Sequence, residues 1–129
     1  MTSADQAALA FSRSVSVVAK IFRHAHEVPD AVAMSFRGED ITWEQFAAQI
    51  RRAAADLRSR GVGRGDRVAV LLTNRPEFLV LTQAASAIGA IIVPINFRLT
   101  AGEVAFIVDN VTPTMLFVES QVAELSARA

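Results

Sequence analysis

Cysteine is absent from the 129 residues, which excludes disulfides, thiolate nucleophiles and cysteine-based zinc sites and permits a reducing compartment. Lysine is represented by Lys20 alone, inside the first helical pattern, so no phosphate-loop lysine is present. Neither sign of charge is in excess. Lys+Arg and Asp+Glu each number 13, and this balance gives no general attraction to nucleic acid or anionic lipid. Long hydrophobic runs are missing as well. The most apolar stretch, residues 84–95, is interrupted by Gly89 and Pro94 and falls well short of the ~20 residues that cross a bilayer. The amino terminus lacks the basic flank and apolar core of a secretory signal. The expectation is a soluble, cytoplasmic chain with no transmembrane segment.

What is present is globular. A hydrophobic fraction of 52% with 20% charged residues is enough for one modest core. Residues 1–14 are weakly patterned and read as a flexible arm, leaving residues 15–129 as the folded part. Val15, Val18, Ile21, Phe22 and Ala25 recur at helical spacing, and Val28-Pro29-Asp30 ends that helix. Residues 31–36 and 39–42 flank Arg37-Gly38 and predict a hairpin, glycine supplying the permissive turn position.

Three helix starts then announce themselves by one device, a polar N-cap with Glu or Gln three residues on and an apolar pair bracketing them. Thr42 and Gln45 lie between Ile41 and Phe46, Asn74 and Glu77 precede Phe78, and Thr100 and Glu103 lie between Leu99 and Val104. Gly61 and Gly89 stand where the first two of these helices should stop. The apolar run at 67–72 suits a strand covered on both faces, and residues 90–94 and 115–118 read as the next strands. A last amphipathic piece is expected at 122–129. The order strand, helix, strand, helix, strand, helix predicts an α/β fold: a predominantly parallel sheet covered by helices, preceded by the β-hairpin.

In such sheets ligands meet the carboxyl ends of the strands, here residues 73–75, 95–98 and 119–121. The candidate ligand-facing residues are Asn74, Arg75, Asn96 and Arg98. Asn74 reads as a helix cap or a ligand contact, Asn96 as a turn-stabilising amide or a site-shaping one, and the two arginines as anion binders. Gly61, Gly63 and Gly65 precede a strand instead of joining a strand to a helix, so they do not form a dinucleotide loop. His24 and His26 do not share a helical face, and no metal site is expected. Arg51, Arg52, Arg58, Arg60, Arg64, Arg67 and Arg75 make the middle of the chain locally basic. No aromatic platform interleaves them, so nucleic acid is not an expected partner. Asp66 is expected to pair with Arg64 or Arg67, and Trp43 to lie against an apolar face. No serine, histidine and acid form a recognisable triad, and no catalytic residue is assigned.

Several segments together carry a resemblance: Pro29-Asp30-Ala31, Ile41-Thr42-Trp43, residues 61–70, residues 74–78 and residues 89–100. In this order they resemble the N-terminal portion of an acyl-activating, adenylate-forming ligase of the acyl-CoA synthetase kind, over about residues 15–119. The resemblance implies an incomplete N-terminal subdomain of an enzyme that joins a carboxylic or fatty acid to ATP, releases pyrophosphate, and passes the acyl group from AMP to CoA. ATP, Mg2+ and CoA are implied for the complete ligase, and none is expected to bind competently to this segment alone. The phosphate loop, the acidic ribose-binding motif and the C-terminal lysine of such enzymes have no counterpart among these residues. The resemblance therefore implies a scaffold whose partner is the remainder of the ligase polypeptide, inactive by itself. The alternative is a truncated, non-enzymatic binding or assembly module that self-associates through its open strand edges.

Overall fold

A computed structural model describes residues 2–7 and 16–119. The amphipathic piece expected at 122–129 and part of the expected arm lie outside these residues. Residues 3–7 are helical, capped where Thr2 Oγ1 accepts the Asp5 N–H at 3.1 Å and Asp5 Oδ2 accepts the Thr2 N–H at 2.9 Å. The chain divides into two compact units, Met1–Ala48 and Gln49–Ala129.

In the first unit, α1 (Val17–Glu27) follows the N-cap Ser16 and ends at Val28, whose N–H donates to the His24 carbonyl. Its buried anchor is Ile21. Strands β1 (Val32–Phe36) and β2 (Glu39–Thr42) pair antiparallel, with Phe36 opposite Glu39 and an irregularity between Val32 and Met34. The turn joining them has φ of 53° at Arg37 and 81° at Gly38. Two successive left-handed residues match the twist of a tight hairpin, so Arg37 shares the strained position that the sequence assigns to glycine alone. Trp43 leaves the hairpin with its ring 4.8 Å from that of His24 and 6.4 Å from that of Phe46.

Helix α2 (Trp43–Ser59) begins with the expected reciprocal cap: Thr42 Oγ1 accepts the Gln45 N–H at 3.2 Å, and Gln45 Oε1 accepts the Thr42 N–H at 2.9 Å. In the second unit Ile50, Ala54 and Leu57 form its buried stripe. It stops as the sequence predicts. Gly61, at φ 89°, donates to the Arg58 carbonyl and Val62 to the Leu57 carbonyl. This pair of bonds closes a Schellman turn.

The remaining elements are β3 (Arg67–Leu71), α3 (Pro76–Ala87), β4 (Ile91–Pro94), α4 (Ala101–Val111) and β5 (Met115–Val118). The three strands form a parallel sheet in the order β4-β3-β5. The central strand is the most buried of the three, and Val68, Ala69, Val70 and Leu71 are each 0% exposed. Side-chain alternation sends Ala69 and Leu71 to one face, where they meet Ile95 and Val104 with Ile107, Val108, Leu116 and Val118 around them. On α3, Ala84 and Ala85 are fully buried, and small side chains let a helix lie close to a sheet.

Candidate functional site

Strands β3 and β5 end at one level, with Leu71 opposite Val118. The next residues on each form a polar cluster. Glu119 is 7% exposed, and its carboxylate is fully engaged. Oε2 accepts the Thr73 N–H at 2.8 Å and the Thr73 O–H at 2.6 Å, while Oε1 accepts from Arg75 Nη1 at 2.9 Å. The Thr73 hydroxyl, then the Thr73 amide, hold the Glu119 carboxyl below its ordinary value; burial opposes them, and the Arg75 charge adds to the depression.

Arg75 is positioned by proline. The residue before a proline is pushed out of the helical region, and proline suits the first helical position. Arg75 is accordingly extended, at φ −152° and ψ 161°, and serves as the N-cap of α3 without a side-chain cap bond. Its guanidinium lies between two carboxylates, donating from Nε to Glu77 Oε2 at 2.9 Å and from Nη1 to Glu119. The cap expected of Asn74 does not form. Asn74 stands one residue too early, is exposed, and leaves Glu77 to Arg75.

On the neighbouring loop Asn96 stabilises the turn. Its Oδ1 accepts the Arg98 N–H at 2.9 Å and its carbonyl accepts the Leu99 N–H at 3.1 Å. Arg98 is exposed, with its guanidinium 5.6 Å from the Phe97 ring centre, and no carboxylate pairs with it among the described residues. The next helix then starts with a complete capping box at Thr100 and Glu103. The structure thus brings Thr73, Arg75 and Glu119 together. Asn74, Asn96 and Arg98 are exposed on the loops that follow β3 and β4.

One expectation for the basic segment changes. Asp66 does not pair with Arg64 or Arg67; its Oδ2 accepts the Gly63 N–H at 2.7 Å. Arg67 caps the carboxyl end of α4, donating from Nε to the Val111 carbonyl at 2.9 Å and from Nη2 to the Thr112 carbonyl and hydroxyl at 3.3 and 3.1 Å. Glycines 61, 63 and 65 lie at the amino end of β3, remote from the carboxyl rim by topology. Among the described residues no three His, Cys, Asp or Glu side chains are grouped to hold a metal ion. None of the described helices is long and apolar enough to cross a membrane.

Sequence reasoning missed Thr73 and Glu119 as a pair. Each is ordinary alone, 46 residues apart, and only the strand register brings them level.

Residues 21–129 match the family described as AMP-binding enzyme. An uncharacterized protein of Mycobacterium tuberculosis (strain ATCC 25618 / H37Rv) is 38% identical over 95 residues, covering 72% of this chain and 54% of its own length. A medium/long-chain-fatty-acid–CoA/3-oxocholest-4-en-26-oate–CoA ligase of Mycobacterium marinum is 34% identical over 108 residues, 83% of this chain and 20% of that protein. Among solved structures, the N-terminal domain of FACL13 from Mycobacterium tuberculosis superposes with a TM-score of 0.81 at 31% identity, covering 85% of this chain and 28% of that one. The chain thus spans about half of the first relative and about a fifth of the ligase.

Proposed function

The chain belongs to the AMP-binding enzyme family, and we propose from that premise that it is a scaffold segment of an ATP-dependent carboxylic acid–CoA ligase. The observation that carries the reading is the agreement of the fold, over 85% of the chain, with that of a fatty acyl CoA synthetase of Mycobacterium tuberculosis, at a TM-score of 0.81. Relatives named as ligases of fatty acids and of indoleacetate with CoA support the reaction class and the acceptor. In the complete enzyme a carboxylate oxygen would attack the α-phosphorus of ATP, pyrophosphate would leave, and the CoA thiol would then displace AMP. The partners in this reading are the remainder of the ligase polypeptide and a carboxylic or fatty acid, in the cytoplasm. Nucleic acid is no partner in it.

Within that scheme this segment supplies a wall. Asn74, Arg75, Asn96 and Arg98 are its proposed ligand-facing residues. Of the two arginines, Arg98 is the better anion contact, because Arg75 already faces the carboxylates of Glu77 and Glu119. ATP, Mg2+ and CoA would be held by chain beyond these residues, so the isolated segment is inactive. Purified chain incubated with ATP, Mg2+ and a fatty acid is expected to form no acid-dependent AMP and pyrophosphate. Turnover by contaminant-free monomer would overturn the scaffold reading.

A second reading has its own support. The uncharacterized relative, 54% of which is covered by a match of 95 residues, is far smaller than the ligases, and this supports a non-enzymatic binding or assembly module. That reading expects concentration-dependent association in sedimentation, and a monomer at all concentrations would count against it.

A further inference from the structure

Parallel pairing dictates what should follow Val118. With Leu71 opposite Val118, the next bond runs from the Glu119 N–H to the Leu71 carbonyl, and it is present at 3.2 Å. The one after it would carry the Thr73 N–H to the Glu119 backbone carbonyl. Thr73 N–H donates instead to Glu119 Oε2 at 2.8 Å. The side chain of Glu119 has replaced its own carbonyl as the last rung of the ladder.

That replacement gives the rung a chemistry the backbone lacks. A main-chain N–H, a hydroxyl and a guanidinium, all from residues 73–75, converge on the two oxygens of one carboxylate. Such a donor set is what charge-assisted recognition of a carboxylate requires. We propose that Thr73 and Arg75 form a built carboxylate site that Glu119 fills from the adjacent strand, which makes Glu119 the positioning residue for the loop between β3 and α3. The proposal goes beyond the ligase reading and is decided without any turnover measurement.

The charged surroundings are few among the described residues. Arg67, the one titratable residue of β3, stands at its opposite end, and β4 and β5 carry none. On α3, Glu77 shares Arg75 with Glu119. On α4, Glu103 is bound in its own capping box, leaving Asp109 as the other acid. The loop before α4 adds Arg98.

Amide exchange resolved by NMR on the 129-residue chain tests the idea. Glu119→Ala is expected to speed exchange at Thr73 by about tenfold or more while Ala69 and Val70 keep their protection, the signature of one lost charged hydrogen bond. Sodium formate is expected to slow Thr73 exchange again in that variant, and sodium chloride at equal ionic strength is not. Unchanged Thr73 exchange, equal loss along β3 in a folded variant, or no response to formate would each overturn the proposal. If Glu119→Ala does not fold, the wild-type chain decides: the Thr73 amide shift is expected to follow carboxyl titration in acid, and a flat response removes the proposal.

Discussion

Arg67 and Arg75 are the same residue type put to opposite uses. Arg67 meets the negative end of α4 and satisfies carbonyls of Val111 and Thr112, next to a threonine held at the left-handed φ of 44°. Arg75 is shared by two acids. The consequence for Glu119 has a definite sign. Its carboxyl is depressed in the fold, so its stabilising contribution is complete above the unfolded carboxyl value and is lost as pH falls through the lower, folded value. Asp5, held down mainly by the Thr2 backbone N–H and also by its hydroxyl, acts in the same direction. Urea unfolding across an acid pH series should therefore be read as the difference between wild type and Glu119→Gln. The variant is expected to show a shallower acid limb with little divergence in slope near neutrality; parallel acid limbs would remove Glu119 from the account.

At the scale of elements, the helix ends separate what is local from what is not. The boxes at Thr42 and Thr100 were legible because all their partners lie within three residues. Asn74 has the same spacing to an acid, and it fails because Pro76 moves the helix start and Arg75 takes Glu77. The cost of substitution should follow the structure. Thr100→Ala is expected to destabilise the chain by about 1 kcal/mol, whereas Asn74→Ala should lie near zero. Gly61→Ala should cost roughly 1–2 kcal/mol by left-handed strain, since a Cβ there meets nothing within 4 Å. Urea denaturation of the three variants checks the order, and equal losses at Asn74 and Thr100 would contradict it.

For the whole molecule the decisive element is β3, fully buried from Val68 to Leu71 between two less buried strands. Leu71 belongs to the cluster under α4, so Leu71→Ala is expected to cost about 2–5 kcal/mol. Amide exchange in β3 and β5 should report that loss in residues 49–129, and undiminished protection there would show that the cluster does not hold the sheet. Trp43, the single tryptophan, reports separately on the hairpin unit through its contacts with His24 and Phe46.

Periodicity, caps and turn residues by themselves determined the element order, the hairpin and the parallel class of the sheet, because those depend on contacts within a few residues or on one face of a helix or strand. The candidate rim was legible only as three loops. Which strand lies in the middle, and that Glu119 reaches Thr73 and Arg75, was decided by tertiary structure. Register between β3 and β5 is set by the burial of Ala69, Leu71, Leu116 and Val118 around Val104, and no local pattern in either strand specifies which residues that packing brings level.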